Sequence, residues 1–155
     1  MGKINYEEKI LEALNKLVSL SEGKQVVRTS EDGRFIDCGD GTIKDTKLRL
    51  MWQKDGSQNT MNFSDAEKHC KESRVGGFSD WRLPSIDELE SLVDRTKYKP
   101  AIISTLFNVK TDDWYWTGTQ FAGDSGDAWI VNFYYGHVYW SDKDSSNYVR
   151  PVRQY

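Results

Sequence analysis

The sequence predicts an α+β domain, and three observations carry that expectation. Two helix starts are marked by capping boxes, Ser64-Asp65-Ala66-Glu67 and Ser85-Ile86-Asp87-Glu88, in which a hydroxyl and a carboxylate satisfy free backbone amides reciprocally. Short β-prone runs punctuated by Gly and Asp occupy residues 34–53 and the stretch from Trp114 onward. The length, 155 residues, suits one domain with a substantial core.

In chain order, residues 6–20 place Ile10, Leu11, Leu14, Leu17 and Val18 at helical spacing opposite Glu7, Glu8, Lys9, Glu12 and Lys16. This reads as an N-terminal amphipathic helix, packed on the domain or forming a short coiled coil that drives homo-oligomer formation. Ser21-Glu22-Gly23-Lys24 reads as a linker, so residues 1–24 are set apart from a domain over 25–155. Arg34–Asp37 and Thr42–Asp45 flank Gly39-Asp40-Gly41, a hairpin signal. Asp37, Asp40 and Asp45 are explained by that turn better than by a cation. Leu48–Gln53 reads as a strand with Leu50 and Trp52 on one face and Arg49, Met51 and Gln53 on the other.

The helix opened by Ser64 should run to about Arg74 and turn Ala66, Cys70 and Phe63 inward. Gly76 to Leu89 then packs a glycine turn, a strand and a helix start into one segment. Alternation buries Trp81 and Leu83 and turns Arg82 outward, Pro84 ends the strand, and the helix carries Leu89, Leu92 and Val93 to about residue 95. Tyr98 to Lys110 reads as irregular. Strands are expected at Tyr115–Thr117, Ala128–Phe133, Val138–Ser141 and Tyr148–Arg153, with residues 134–137 as a hairpin turn and Pro151 favouring an edge or bulge.

Composition excludes several function classes. A net charge of −3 with both signs interspersed gives no footprint for nucleic acid. No apolar run approaches a membrane span, and charges interrupt every candidate signal-peptide core in residues 1–25. Cys38 and Cys70 allow one disulfide or two free thiols. Six Trp, eight Tyr and six Phe, mostly after residue 97, are more large rings than a small core hides. A binding surface is the expected use of the remainder.

The order Gly-Asp-Gly-Thr (39–42), Leu-Met-Trp-Gln (50–53), Gly-Gly-Phe-Ser-Asp-Trp-Arg-Leu-Pro-Ser (76–85), Tyr-Trp-Thr-Gly-Thr (115–119), Ala-Trp-Ile-Val-Asn-Phe (128–133) and Tyr-Val-Arg-Pro-Val-Arg (148–153) resembles the DUF1566 family, also named for the C-terminal domain of the Legionella collagen-like adhesin. The resemblance covers roughly residues 34–153. It implies a C-type-lectin-like fold: two helices packed on a small twisted antiparallel sheet, long loops that carry binding, and a terminal strand beside Leu48–Gln53. It also implies a bacterial, adhesin-like protein, often exported. Pro151 stands where relatives often have Cys, which removes the usual partner of Cys70.

Catalytic chemistry finds little support. His69 and Cys70 are neighbours on a helix and face different directions, and no spacing joins either to His137. Formylglycine-generating enzymes share the lectin-like fold but rely on a reactive cysteine pair that has no counterpart here. Asp142, Asp144 and Asn147 offer oxygens as calcium loops do, without the turn glycine or closing Glu, so a polar loop is the expected reading and no cofactor is assigned. Asp80, Arg82, Glu88, Arg150 and Arg153 are expected to form a structural polar cluster locking the second helix to the terminal strand.

The expectation is a non-enzymatic module that binds a glycan or protein ligand through aromatic side chains. Trp114, Tyr134, Tyr135, His137, Tyr139 and Trp140 are the candidate ring set, with Gln120, Asp144 and Asn147 as polar contacts. The rival expectation is an assembly protein whose aromatic face is a subunit contact.

Overall fold

The computed structural model describes residue 7, residues 9–14 and residues 27–155. It is α+β, with two antiparallel sheets. The first sheet runs β1 (Arg28–Thr29), β2 (Phe35–Asp37), β3 (Thr42–Asp45), β4 (Leu50–Gln53) and then β8 (Val152–Gln154). The second is the meander β5 (Trp114–Gln120), β6 (Asp127–Asn132) and β7 (Val138–Asp142).

The β2–β3 hairpin turns on Asp and Gly. Asp37 Oδ1 accepts the Gly39 amide at 2.9 Å, Asp40 Oδ1 accepts the Thr42 amide at 3.0 Å, and Gly41 takes φ 86°, open to Gly at no steric cost. Asp37 and Asp45 also pair at 2.6 Å with Lys54 and Arg34.

β4 and β8 pair antiparallel with Met51 opposite Arg153 and Trp52 opposite Val152, so the end of the domain closes its first sheet. β4 carries Leu50 and Trp52 on one face and Met51 and Gln53 on the other, and both faces are buried. Leu50 and Trp52 join a core with Phe35, Leu89, Phe107, Tyr115, Val131 and Phe133. Met51 faces a second core with Ala66, Cys70, Trp81, Trp116, Ile130 and Val149. The second sheet contributes to both cores, which leaves β4 no wet side.

Helix α1 (Phe63–Glu72) buries Ala66 and Cys70, and Phe63 sets its ring edge-on to Trp116 at 5.5 Å. Its cap is Asn62, whose side chain accepts the Asp65 amide, and not the expected Ser64; the carboxamide one residue outside the helix has the extended backbone that capping requires. The capping box at Ser85 and Glu88 forms as expected and opens α2 (Ile86–Glu90). Between them, Val75–Gly77 is a 3₁₀ turn.

Trp81 and Leu83 are buried and Arg82 is exposed, as alternation predicts, but no strand forms there. Arg82 makes a single two-bond bridge to Val152, because Pro84 has no amide to extend the ladder. α2 stops well short of residue 95. The Ser91 hydroxyl donates to the Glu88 carbonyl at 2.6 Å, competing with the next helical turn, and Val93 pairs with Ile102. The strand expected over 148–153 is likewise shorter: Tyr148 bridges Tyr115 beside the second sheet before β8 begins after Pro151 at the sheet edge.

Residues 9–14 are helical and exposed; the rest of the amphipathic stretch expected over 6–20, apart from residue 7, lies outside the described residues. Among the described residues no helix is long and apolar enough to cross a membrane.

Candidate functional site

The aromatic residues of the second sheet divide by register. Trp114, Trp116, Ile130 and Tyr139 share one face, and Tyr115, Trp129, Val131 and Trp140 the other. Trp116 and Tyr115 are fully buried in the two cores. What remains outside is assembled along the edge strand β7.

Alternation places Tyr139 and Trp140 on opposite faces, yet their rings stack at 4.2 Å and 14°. An edge strand has no neighbour on one side, so both side chains can fold around it. Trp140 in turn stacks on Phe121 at 4.5 Å and 3°, and Trp129 meets Trp140 and Phe121 edge-on at 6.0 and 5.3 Å. The result is a stack Phe121–Trp140–Tyr139. It ends in Tyr139, which is 53% exposed and has Trp114 tilted beside it at 6.4 Å. Trp140 is therefore an interior member of the stack, half-buried.

A second ring group forms at the β6–β7 turn. Asn132 Oδ1 accepts the Tyr134 amide at 2.7 Å and Gly136 takes φ 77°, with Val93 so close that a Cβ there would stand 2.5 Å from its Cγ1. That turn projects Tyr135, 56% exposed, edge-on to Tyr134 at 4.4 Å and against His137 at 5.5 Å. Tyr98, 71% exposed, stacks on Tyr135 at 6.5 Å and 17°, and Lys99 lies over Tyr134. Sequence reasoning missed Tyr98 and Phe121. Both precede their partners on separate segments, and only the sequence position of Phe121, just beyond β5, hints at its role.

The polar candidates separate. Gln120 and Asp144 are exposed, the first beside Phe121 in sequence and the second in the turn after β7. Asn147 is 3% exposed, and its backbone exchanges two bonds with Met61 at 3.0 Å, just before α1. The Asp142 carboxylate accepts the Asp144 amide at 2.8 Å, a turn's own bond. Among the described residues no three His, Cys, Asp or Glu side chains are grouped to hold a metal ion.

The expected polar cluster is three separate devices. Arg82 pairs with Glu88 through two bonds of 2.8 Å, joining the bridge residue to α2. Arg153 pairs with Asp80 at 2.6 Å, tying β8 to the segment before Trp81. Among the described residues Arg150 forms no ion pair. Fully buried, it donates to the carbonyls of Gln53, Lys54 and Asn108 and lies over the rings of Phe107 and Tyr115. Burial pushes the Glu88 carboxyl up, but the Arg82 guanidinium and the Ser85 amide outweigh it and hold it below the usual range.

Both cysteines are free thiols, Cys38 half-buried and Cys70 buried. Burial, with Glu67 adding to it, pushes the Cys70 thiol up to about 12, so it is no nucleophile at neutral pH. His69 points away from it into a polar cleft of about 580 Å³ between α1 and the loop after β4.

Comparison with curated proteins returns no match. The family model of the Lcl C-terminal domain matches residues 41–153, from the β2–β3 turn through Arg153, and the chain belongs to that family.

Proposed function

We propose that the chain is a non-enzymatic binding module of C-type-lectin-like fold that recognises a glycan or protein ligand through the rings borne by β7 and the β6–β7 turn. The observation that supports this is the ring stack Phe121–Trp140–Tyr139, closed at its outer end by an exposed phenol. The ring pairs of the cores, such as Phe35–Phe107 and Tyr115–Phe133, are buried, whereas this stack leaves its last ring open. Tyr139 and Tyr135 offer flat faces with hydroxyl tips, suited to pyranose faces and to protein interfaces alike. Gln120 and Asp144 supply a polar rim, and the reading requires no cofactor.

A glycan and protein array probed with the wild type and with Tyr135→Ala/Tyr139→Ala tests it. Signal confined to the wild type is expected. Equal signal from both would remove these rings from the binding surface.

The second reading is self-association through residues 6–20, favoured by Ile10, Leu11 and Leu14, exposed at 60%, 58% and 52% on helical residues. Light scattering on the chain with and without residues 1–23 separates the two. An oligomer that the deletion leaves intact and the tyrosine variant dissolves would make the aromatic face a subunit contact.

A further inference from the structure

Helix α1 leaves space where it faces residues 81–83 and β5. A cleft of about 190 Å³ stands there, lined by Cys70, Trp81, Leu83 and Gly118, with Glu67, Lys71 and Arg82 around it. None of these residues belongs to the aromatic surface. Small side chains explain the space. Cys70 is a buried residue of α1, and Gly118 offers no side chain where β5 slips in register against β6 between Trp116 and Gln120. The Gly118 amide donates to the Pro84 carbonyl at 2.7 Å, which fixes β5 against the opposite wall. Protein interiors are close-packed, and an unfilled apolar volume beside a core forfeits contacts that a ligand can supply.

The interior of the cleft is apolar. Cys70, Trp81 and Leu83 are 1%, 3% and 8% exposed. The Trp81 indole donates to the Val75 carbonyl at 3.2 Å, so its one polar atom is already engaged. The Cys70 thiol stays protonated at neutral pH and adds no charge. A dry cavity of roughly 150 Å³ holds a benzene ring, so this volume admits a phenyl or branched aliphatic group.

The rim carries both signs of charge. Arg82 is spent, with two bonds of 2.8 Å to Glu88 and one of 3.2 Å to the Leu83 carbonyl. Glu67 and Lys71 are not. They stand one turn apart on α1, bracket Cys70 in sequence, and are exposed. The neighbouring couple Lys68 and Glu72 meets at 3.9 Å, whereas among the described residues neither the Glu67 nor the Lys71 side chain forms an ion pair or hydrogen bond.

We propose that this cleft binds a free apolar α-amino acid. Its side chain fills the space between Cys70, Trp81, Leu83 and Gly118, while its carboxylate meets Lys71 and its ammonium meets Glu67. Charge complementarity selects this occupant. An α-amino acid carries both charges on one carbon beside its apolar group, as the rim carries both beside the apolar interior. A peptide end carries only one of the two. Leucine and phenylalanine have side chains of the required size.

The test is titration of the isotope-labelled full chain, followed by NMR, with L-leucine, L-phenylalanine, the N-acetyl and amide derivatives of each, and glycine. At least one of the two amino acids should shift the Cys70, Gly118 and Trp81 indole signals. Its N-acetyl derivative lacks the ammonium and its amide lacks the carboxylate, so each should bind about threefold or more weakly, as expected for an exposed ion pair. Glycine, with no side chain, should shift none of these signals. Glu67→Gln and Lys71→Gln, at exposed helical positions, should each weaken binding of the effective amino acid by about threefold or more. No shift with either amino acid, derivatives that bind as tightly as their parent, matching shifts with glycine, or variants that bind like the wild type would each overturn the proposal.

Discussion

Around Gly76–Leu89 and the closing strand, polar groups are turned to one another: Arg82 grips Glu88, Arg153 grips Asp80, and Arg150 is fully buried with three carbonyls. In the β6–β7 hairpin the rings back one another, and the outermost, Tyr135 and Tyr139, are left more than half exposed. Both regions are rich in recognisable residues. They differ in whether the groups find their partners inside the chain. Where partners are internal, substitution should act on stability; where the last partner is missing, it should act on binding. Each prediction below presses on that division.

The sharpest test is Arg150→Met. The aliphatic side chain fills much of the same space between Phe107 and Tyr115, but the carbonyls of Gln53 and Asn108 lose the guanidinium's donors and that of Lys54 keeps only the Asn108 amide. A loss of about 3–5 kcal/mol in chemical denaturation is expected, in line with removing a buried charged donor from its acceptors. An unchanged midpoint would mean that the guanidinium is not structural, and the division would fail on its strongest member.

Gly76→Ala comes next. Gly76 sits at φ 62° inside the 3₁₀ turn, and a Cβ would stand 2.6 Å from Thr42 Cγ2. Left-handed backbone plus that contact should cost about 2 kcal/mol, measured in the same way. The substitution should leave ligand binding intact in molecules that remain folded.

These two positions also show what the sequence makes legible. The Ser85–Glu88 capping box, the inward Trp81 and Leu83 and the β2–β3 turn follow from local chemistry, so they could be read directly. The two-sided burial of β4 could not, because alternation along one strand does not reveal a second sheet packed on its other face. The same limit governs the candidate site. Tyr135 and Tyr139 were recognisable from a hairpin rich in rings. The burial of Asn147, the stacking of Trp140 between Phe121 and Tyr139, and the cleft that α1 shares with residues 81–83 and β5 depend on tertiary contacts that no local pattern encodes.

Glu88→Gln tests the pairing through pH. The folded Glu88 carboxyl titrates below its ordinary value, so its stabilisation is complete above the unfolded value and is lost as pH falls through the folded one. The wild type should lose stability across that acid window, and the variant, with no carboxyl to titrate, should show a shallower slope there. At neutral pH the variant should be less stable by about 1 kcal/mol, since Arg82 is partly exposed and the Ser85 cap survives in weakened form. Parallel acid limbs for the two proteins would show that the pair contributes nothing to folding.

The smallest expected change in stability belongs to Tyr135→Ala and Tyr139→Ala, and it is the most discriminating. Both rings are more than half exposed, and neither side chain donates or accepts a hydrogen bond among the described residues. Each truncation should therefore move the denaturation midpoint by no more than about 0.5 kcal/mol, the range of surface substitutions away from special features. Tyr139 backs onto Trp140, so its loss should also raise the solvent exposure of that indole, visible as a red shift in tryptophan fluorescence, whereas Tyr135→Ala should leave the spectrum unchanged. A destabilisation of either variant comparable to that of Arg150→Met would place these tyrosines among the structural groups. The hairpin would then be an extension of the core, and the contrast between the two regions would disappear.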